Sequence, residues 1–257
     1  MVPFIRTPDS GRAALGWALA VSVLACAFVV RQRRARQPLV HPALASSRHY
    51  GLGTAVAMAQ FGSSMAATLV LTVFLQDGLG LSALLTAVVT LPAAVAMGVA
   101  SALSWRIVRR IGPRTVTAGL TLGIAAALAG ALAALRVPGA GLPLALAGTQ
   151  LLTGAAGGLT VAPNQTEVLR HAPPEAAGVS GGILQMAQRI AAAVCLSAVS
   201  AVYLHTDRPR AAYALASCVC AALLAVALVL SLLRQNATPP RTPAPLARFV
   251  SPKESRS

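Results

Sequence analysis

Seven apolar stretches, separated by short polar connections, organise the chain: residues 13–30, 51–75, 82–103, 115–135, 142–162, 178–204 and 211–233. A helix needs ~20 residues at 1.5 Å rise to cross the ~30 Å hydrocarbon core of a bilayer, and these runs approach or exceed that length. The pattern predicts an all-α membrane protein with seven transmembrane helices. Pro92 inside the third run predicts a kink. The pieces between the runs read as a short turn (QDGLGL), a tight basic loop (SWRIVRRIGPR), a loop stopped by Pro173 and Pro174 (NQTEVLRHAPPEA), and the connection HTDRPR. The chain therefore divides into an extracytoplasmic lead-in (1–12), a leading span (13–30), a basic cytoplasmic linker (31–50), a six-helix unit (51–233) and a disordered cytoplasmic tail (234–257).

The sixth run, GVSGGILQMAQRIAAAVCLSAVSAVYL, breaks the apolar pattern from within. At 100° per residue, Gly178, Gly181, Gln185, Gln188, Arg189 and Ala192 share a small, polar face, while Ile183, Met186, Ile190 and Val194 lie roughly opposite. Arg189 falls roughly 16 Å into the span by helical rise. A guanidinium at that depth is costly in lipid, so it is expected to face a bundle interior or an aqueous cavity. The alternative is an arginine that snorkels to the headgroups or bonds backbone carbonyls.

Composition agrees with the spans. Of 257 residues, 56% are hydrophobic and only 11% charged, where a soluble domain carries about a quarter. The net charge of +15 would suggest nucleic acid in a soluble chain, but the cations sit between apolar runs, where the positive-inside rule accounts for them. Nucleic acid is not an expected partner; the lipid bilayer is. The connections after runs one, three and five, with the tail, hold most of the Lys and Arg residues. That places the N-terminus outside and the C-terminus in the cytoplasm, in a multi-pass protein of the cell (inner) membrane. Tyr50, Trp105, Tyr203 and Tyr213 fall at span ends, where amphipathic rings prefer to lie.

Candidate chemistry is sparse. His41, His49, His171 and His205 are scattered, and no hydrolase, zinc-protease or phosphate-loop pattern occurs, so no enzyme, metal site or cofactor is expected. Cys26, Cys195, Cys218 and Cys220 all lie in apolar runs and read as small hydrophobes. Gly154 and Gly158 have the spacing that lets helices approach closely. Gln60 and Gln150 within spans, and Asn164 and Gln165 just beyond one, need partners in hydrocarbon, either across helices or on a bound molecule. Around the basic loop, Gly112 permits a sharp turn between antiparallel helices, flanked by Arg106, Arg109, Arg110 and Arg114. None of the six carboxylates (Asp9, Asp77, Glu167, Glu175, Asp207, Glu254) lies at the middle of a span, so the chain lacks an intramembrane proton carrier of its own.

Three stretches resemble the C-terminal half of a major facilitator superfamily transporter, closest to the fourteen-helix drug:proton antiporter branch. VFLQDGLGLSALLTAVVTLPAAVAMGVAS is similar to the first hairpin of that half. SWRIVRRIGPRTVTAGL resembles the repeat of the superfamily's basic cytoplasmic loop, with Arg110, Gly112 and Arg114 on matching positions and Arg109 where an acidic residue often stands. GGLTVAPNQTEVLRHAPPEAAGVSGGILQMAQRIAAAV resembles the segment joining the last helices. The leading span with RRARQPL is similar to the last linker helix of that branch.

The resemblance implies a six-helix C-terminal half that exports drugs or amphipathic compounds by alternating access and proton antiport. Gln60, Gln150, Gln185 and Arg189 would line its substrate cavity, and Arg110, Gly112 and Arg114 would shape a cytoplasmic gate loop. It also implies that the N-terminal half, with its proton-carrying acid, is missing here, so a complementary half would be the partner. The alternative is a non-transporting membrane relic or scaffold.

Overall fold

The computed structural model describes residues 47–139, 141–172 and 177–236. These residues form six helices long and apolar enough to cross a membrane, and contain no strand. The helices are α1 (Arg48–Val73, continued by a π-helical turn, Phe74–Gly78), α2 (Ala83–Ile111), α3 (Arg114–Arg136), α4 (Gly141–Arg170), α5 (Ala177–Leu204) and α6 (Pro209–Asn236). The leading span expected at 13–30 lies outside the described residues, as do the preceding lead-in and most of the linker and tail. Ser47 and Ser82 start α1 and α2 by accepting from the backbone N–H groups of Tyr50 and Leu85.

Three boundaries differ from the pattern of apolar residues. The stretch read as a basic loop is helical as far as Ile111, so only Gly112 and Pro113 join α2 to α3. Gly112 takes a φ of 60°, a left-handed turn that an L side chain would oppose. The stretch read as the loop NQTEVLR is also helical, because α4 runs through Pro163 to Arg170. Its polar residues find partners inside the bundle: Asn164 and Val168 are buried, and Asn164 Nδ2 donates to the Gly53 carbonyl at 3.1 Å. Arg234, expected to open the tail, lies in the last turn of α6 and is only 4% exposed.

The most extensive contacts run α2 on α4, α4 on α3, α3 on α6, α6 on α1 and α1 on α5. Exchanging α1–α3 with α4–α6 maps this order onto itself. With three helices in each unit, equivalent helices run in opposite directions, so the bundle is an inverted repeat.

Small residues set the contacts, as they do where lipid removes the hydrophobic drive for helix association. A Cβ on Gly158 would lie 2.7 Å from the Met97 carbonyl oxygen, and one on Gly154 would collide with the Ala93 backbone. The Gly154/Gly158 spacing is thus the seam between α4 and α2. Gly119 meets Ala156 and Thr160 where α3 crosses α4, and Gly62 meets Ala191 and Cys195 where α1 crosses α5.

Large apolar side chains point outward, with Leu84, Val88, Leu91 and Val95 of α2 all exposed. Two tyrosines expected at the membrane interface instead turn inward. Tyr50 donates its hydroxyl to the Ser180 carbonyl at 2.7 Å, and Tyr213 stacks on Phe74 with centroids 4.6 Å apart. Trp105 does sit on the surface, with Arg106 and Arg109 over its ring.

Candidate functional site

Midway along α1, α3, α4 and α6 the helices part around a cavity of about 80 Å³, space for several waters at ~10–15 Å³ each. Gln60, Ser63 and Ser64 approach it from α1, Thr149, Gln150 and Thr153 from α4, and Tyr213 and Ser217 from α6, while Gly119 and Gly123 leave room on the α3 side. Among the described residues no charged side chain lines it.

Most of its hydroxyl protons are already committed. Thr149, Thr153 and Thr160 each donate to a carbonyl three or four residues back, at 2.8, 3.0 and 2.7 Å. Ser63 donates across to the Cys220 carbonyl at 3.1 Å, and Gln60 Nε2 donates to Ser64 Oγ at 3.2 Å. What these groups leave to the cavity is oxygen lone pairs. The walls are rich in acceptors and carry no net charge.

Of the four residues expected to share a substrate cavity, the structure brings Gln60 and Gln150 together and leaves Gln185 and Arg189 elsewhere. Both of the latter are exposed on α5. The polar face expected on that helix splits: Gln188 is 2% exposed and turns inward with Ser180, Leu184 and Ala191, while Arg189 turns out, its guanidinium 5.7 Å from the Phe61 ring centroid. The apolar side behaves as expected, with Met186, Ile190 and Val194 exposed.

A second, larger cavity of about 600 Å³ lies at the end of the bundle where α2, α4 and α6 finish and α3 begins. Gly112 and Arg114 of the expected gate loop line it; Arg110 is exposed and does not. Arg170, Arg234, Glu167, His49 and His171 complete its polar wall. Arg234 Nη1 donates to Asn164 Oδ1 at 2.8 Å, tying α6 to α4, and Asn164 ties on to α1. The rings of His49 and His171 stack 5.2 Å apart, and His171 Nδ1 lies 2.8 Å from the Glu167 carbonyl oxygen.

Sequence reasoning missed the Arg234–Asn164 pair. The available signal was that Asn164 and Arg234 lie only two residues and one residue beyond an apolar run, close enough to continue its helix. Asp77, Glu167 and Asp207, the carboxylates among the described residues, all lie toward helix ends.

No curated protein matches the chain. Two overlapping stretches, residues 11–196 and 52–256, match the family profile described as Major Facilitator Superfamily. Matching one profile in two offset registers suits a chain built from a repeat, and inverted three-helix repeats are nested within each six-helix half of that architecture. Six membrane-length helices, a repeat that maps onto itself and a polar cavity at mid-depth agree with the profile, and the chain belongs to the Major Facilitator Superfamily, a family of multi-pass membrane transporters.

Proposed function

We propose that the chain is part of a secondary active exporter of drugs or other amphipathic compounds, working by alternating access and proton antiport together with a complementary six-helix half. The observation that carries this reading is the position of Arg189. It lies twelve residues into α5, roughly 18 Å along the helix axis. Its face of α5 is covered by no other described helix. Hydrocarbon against a guanidinium at that depth is costly, which favours an aqueous path or a second polar half on this face. Gln185, one turn earlier on the same exposed side, supports the same surface.

The acceptor-rich mid-bundle cavity suits molecules that donate hydrogen bonds, cationic amphiphiles among them, without a fixed carboxylate to hold them. Proton coupling then falls to a carboxylate of the complementary half. Arg110, Gly112 and Arg114 are assigned to the gate at the cytoplasmic end of a cell-membrane protein whose C-terminus is inside.

The experiment is efflux of a fluorescent cationic dye from cells that make the chain alone or with an N-terminal half of a drug exporter. Efflux is expected only in the pair, and Arg189→Ala is expected to abolish it while Arg189→Lys retains part. Full efflux with Arg189→Ala would sink the role given to Arg189. A chain present in the membrane that supports no efflux with any such half would favour a scaffold instead.

A further inference from the structure

The end cavity differs from the mid-bundle cavity in both size and charge, and the transport reading uses only Gly112 and Arg114 of its lining, as part of the gate. Arg114, Arg170 and Arg234 face Glu167 there, with His49 and His171 beside them. Arginines at such a place are ordinarily explained as partners for helix C-termini. That explanation absorbs only part of the charge. The C-terminal ends of α2, α4 and α6 bring about half a negative charge each, and the N-terminal ends of α1 and α3 about half a positive charge each, which leaves roughly one and a half positive charges with both imidazoles neutral.

The first turn of α3 is already closed, since the Thr115 and Val116 N–H groups donate to the Gly112 and Pro113 carbonyls at 3.1 and 3.2 Å, and it contributes field rather than donors. The N-cap of α3 is Pro113, which makes no side-chain cap, and the first turn holds no acidic residue. The Gln235 amide donates to the Pro113 carbonyl at 3.3 Å, which holds α6 against this turn. Arg234 is committed to Asn164, so it supplies fixed field rather than a mobile hand. Arg114 and Arg170 are exposed at the rim on separate helices, and their forks are the ones able to close on a ligand.

We propose that this cavity binds a phosphate group, a phosphodiester or phosphomonoester, clamped between Arg114 and Arg170 over the N-terminus of α3. Planar guanidiniums pair with phosphate oxygens two bonds at a time, and the positive end of the α3 dipole favours the anion. At about 600 Å³ the cavity admits more than a bare ion. Two sources share this chemistry: an anionic lipid headgroup from the adjoining leaflet, and a soluble phosphate. The proposal stands whether or not the chain transports.

The test uses the full chain in nanodiscs, with two arms. One measures, by native mass spectrometry, phosphatidylglycerol retained from mixed phosphatidylglycerol and phosphatidylcholine discs. The other follows heat stability in phosphatidylcholine discs as inorganic phosphate, or sodium chloride of matched ionic strength, is added. Each arm compares the parent with Arg114→Gln/Arg170→Gln in the cavity and with Arg106→Gln/Arg109→Gln, which removes the same charge beside Trp105 outside it.

The parent and the outer variant are expected to bind alike, and the cavity variant about tenfold more weakly, as suits lost charge-assisted contacts. Retention of the lipid alone identifies a headgroup, and stabilisation by phosphate alone identifies a soluble anion. The proposal is overturned if the outer variant loses as much as the cavity variant. It is equally overturned if phosphate matches chloride while phosphatidylglycerol shows no preference. Arg114→Gln alone, a change at an exposed side chain, takes the place of the double variant should that fail to fold.

Discussion

The two cavities share helices yet keep different chemistry. On α4, the mid-bundle cavity is met by residues from Thr149 to Thr160 and the end cavity by Pro163, Glu167 and Arg170, the two sets centred roughly 20 Å apart along the helix. At mid-depth every polar group is neutral, and half of the lining hydroxyls, those of Thr68, Thr149, Thr153 and Thr160, donate their proton to their own helix. At the end, guanidiniums, imidazoles and a carboxylate meet across four helices, α1, α3, α4 and α6. The difference teaches that distance from the helix end decides which polar groups a membrane helix can hold. Amides and hydroxyls can satisfy themselves in a dry interior, whereas charges need water, headgroups or one another.

The largest effect should come from forcing the chemistry of one cavity onto the other. Ala126, 2% exposed, lines the mid-bundle cavity, and Ala126→Asp should cost about 2.5–3.5 kcal/mol, the penalty for a charge at a helix centre. It would be read as loss of the monodisperse peak in detergent. Equal recovery of this variant and the parent would mean that the cavity is wetter than its walls suggest.

The next effect tests the tie at the end cavity. Asn164→Leu removes the acceptor of Arg234 Nη1 and the donor to Gly53, and should cost about 1.5–3 kcal/mol on heating in detergent. Asn164→Asp keeps an acceptor facing Arg234 and should lose less. If the two variants melt together, the hydrogen bond is not what holds α6 to α4.

Gln60→Leu and Gln150→Leu should change stability by no more than about 1 kcal/mol, because each gives up at most a bond such as that from Gln60 to Ser64 Oγ. Both are nevertheless expected to impair dye efflux in the paired assay. Undiminished efflux in the double variant would remove the mid-bundle cavity from the transport account. The smallest effect belongs to Arg106→Gln, an exposed change that should stay within about 0.5 kcal/mol.

The six described helices were legible because uninterrupted apolar length is a direct signal of a span. The α2–α4 seam was legible because glycines four apart prescribe close approach, and the Gly112 turn because glycine permits a sharp reversal between antiparallel helices. The continuations of α2 to Ile111 and α4 to Arg170 were not. Counting apolar residues stops at the first charge or proline, while the backbone continues wherever its side chains find partners or water. Asn164 found Gly53, 111 residues away, and Arg234, 70 residues away, and no local pattern announces such pairs. Gln60 and Gln150 could be picked out as polar residues in spans. That they share a cavity with each other, and not with Gln185 and Arg189, depends on how α5 is rotated against α1, and packing at Gly62 sets that rotation.

The measurement closest to the central claim compares neighbours on α5. In a background with the four native cysteines replaced, Arg189→Cys and Ile190→Cys place a thiol 100° apart at one depth, and both parent side chains are exposed. Thiols react as thiolates, which form in water and not in hydrocarbon. In intact membranes that hold the chain with its complementary half, a charged, membrane-impermeant maleimide should label position 189 at least about tenfold faster than position 190. A position 189 that labels no faster than position 190 would mean that no aqueous path runs along the Arg189 face in particular, and the transport account would lose its foundation.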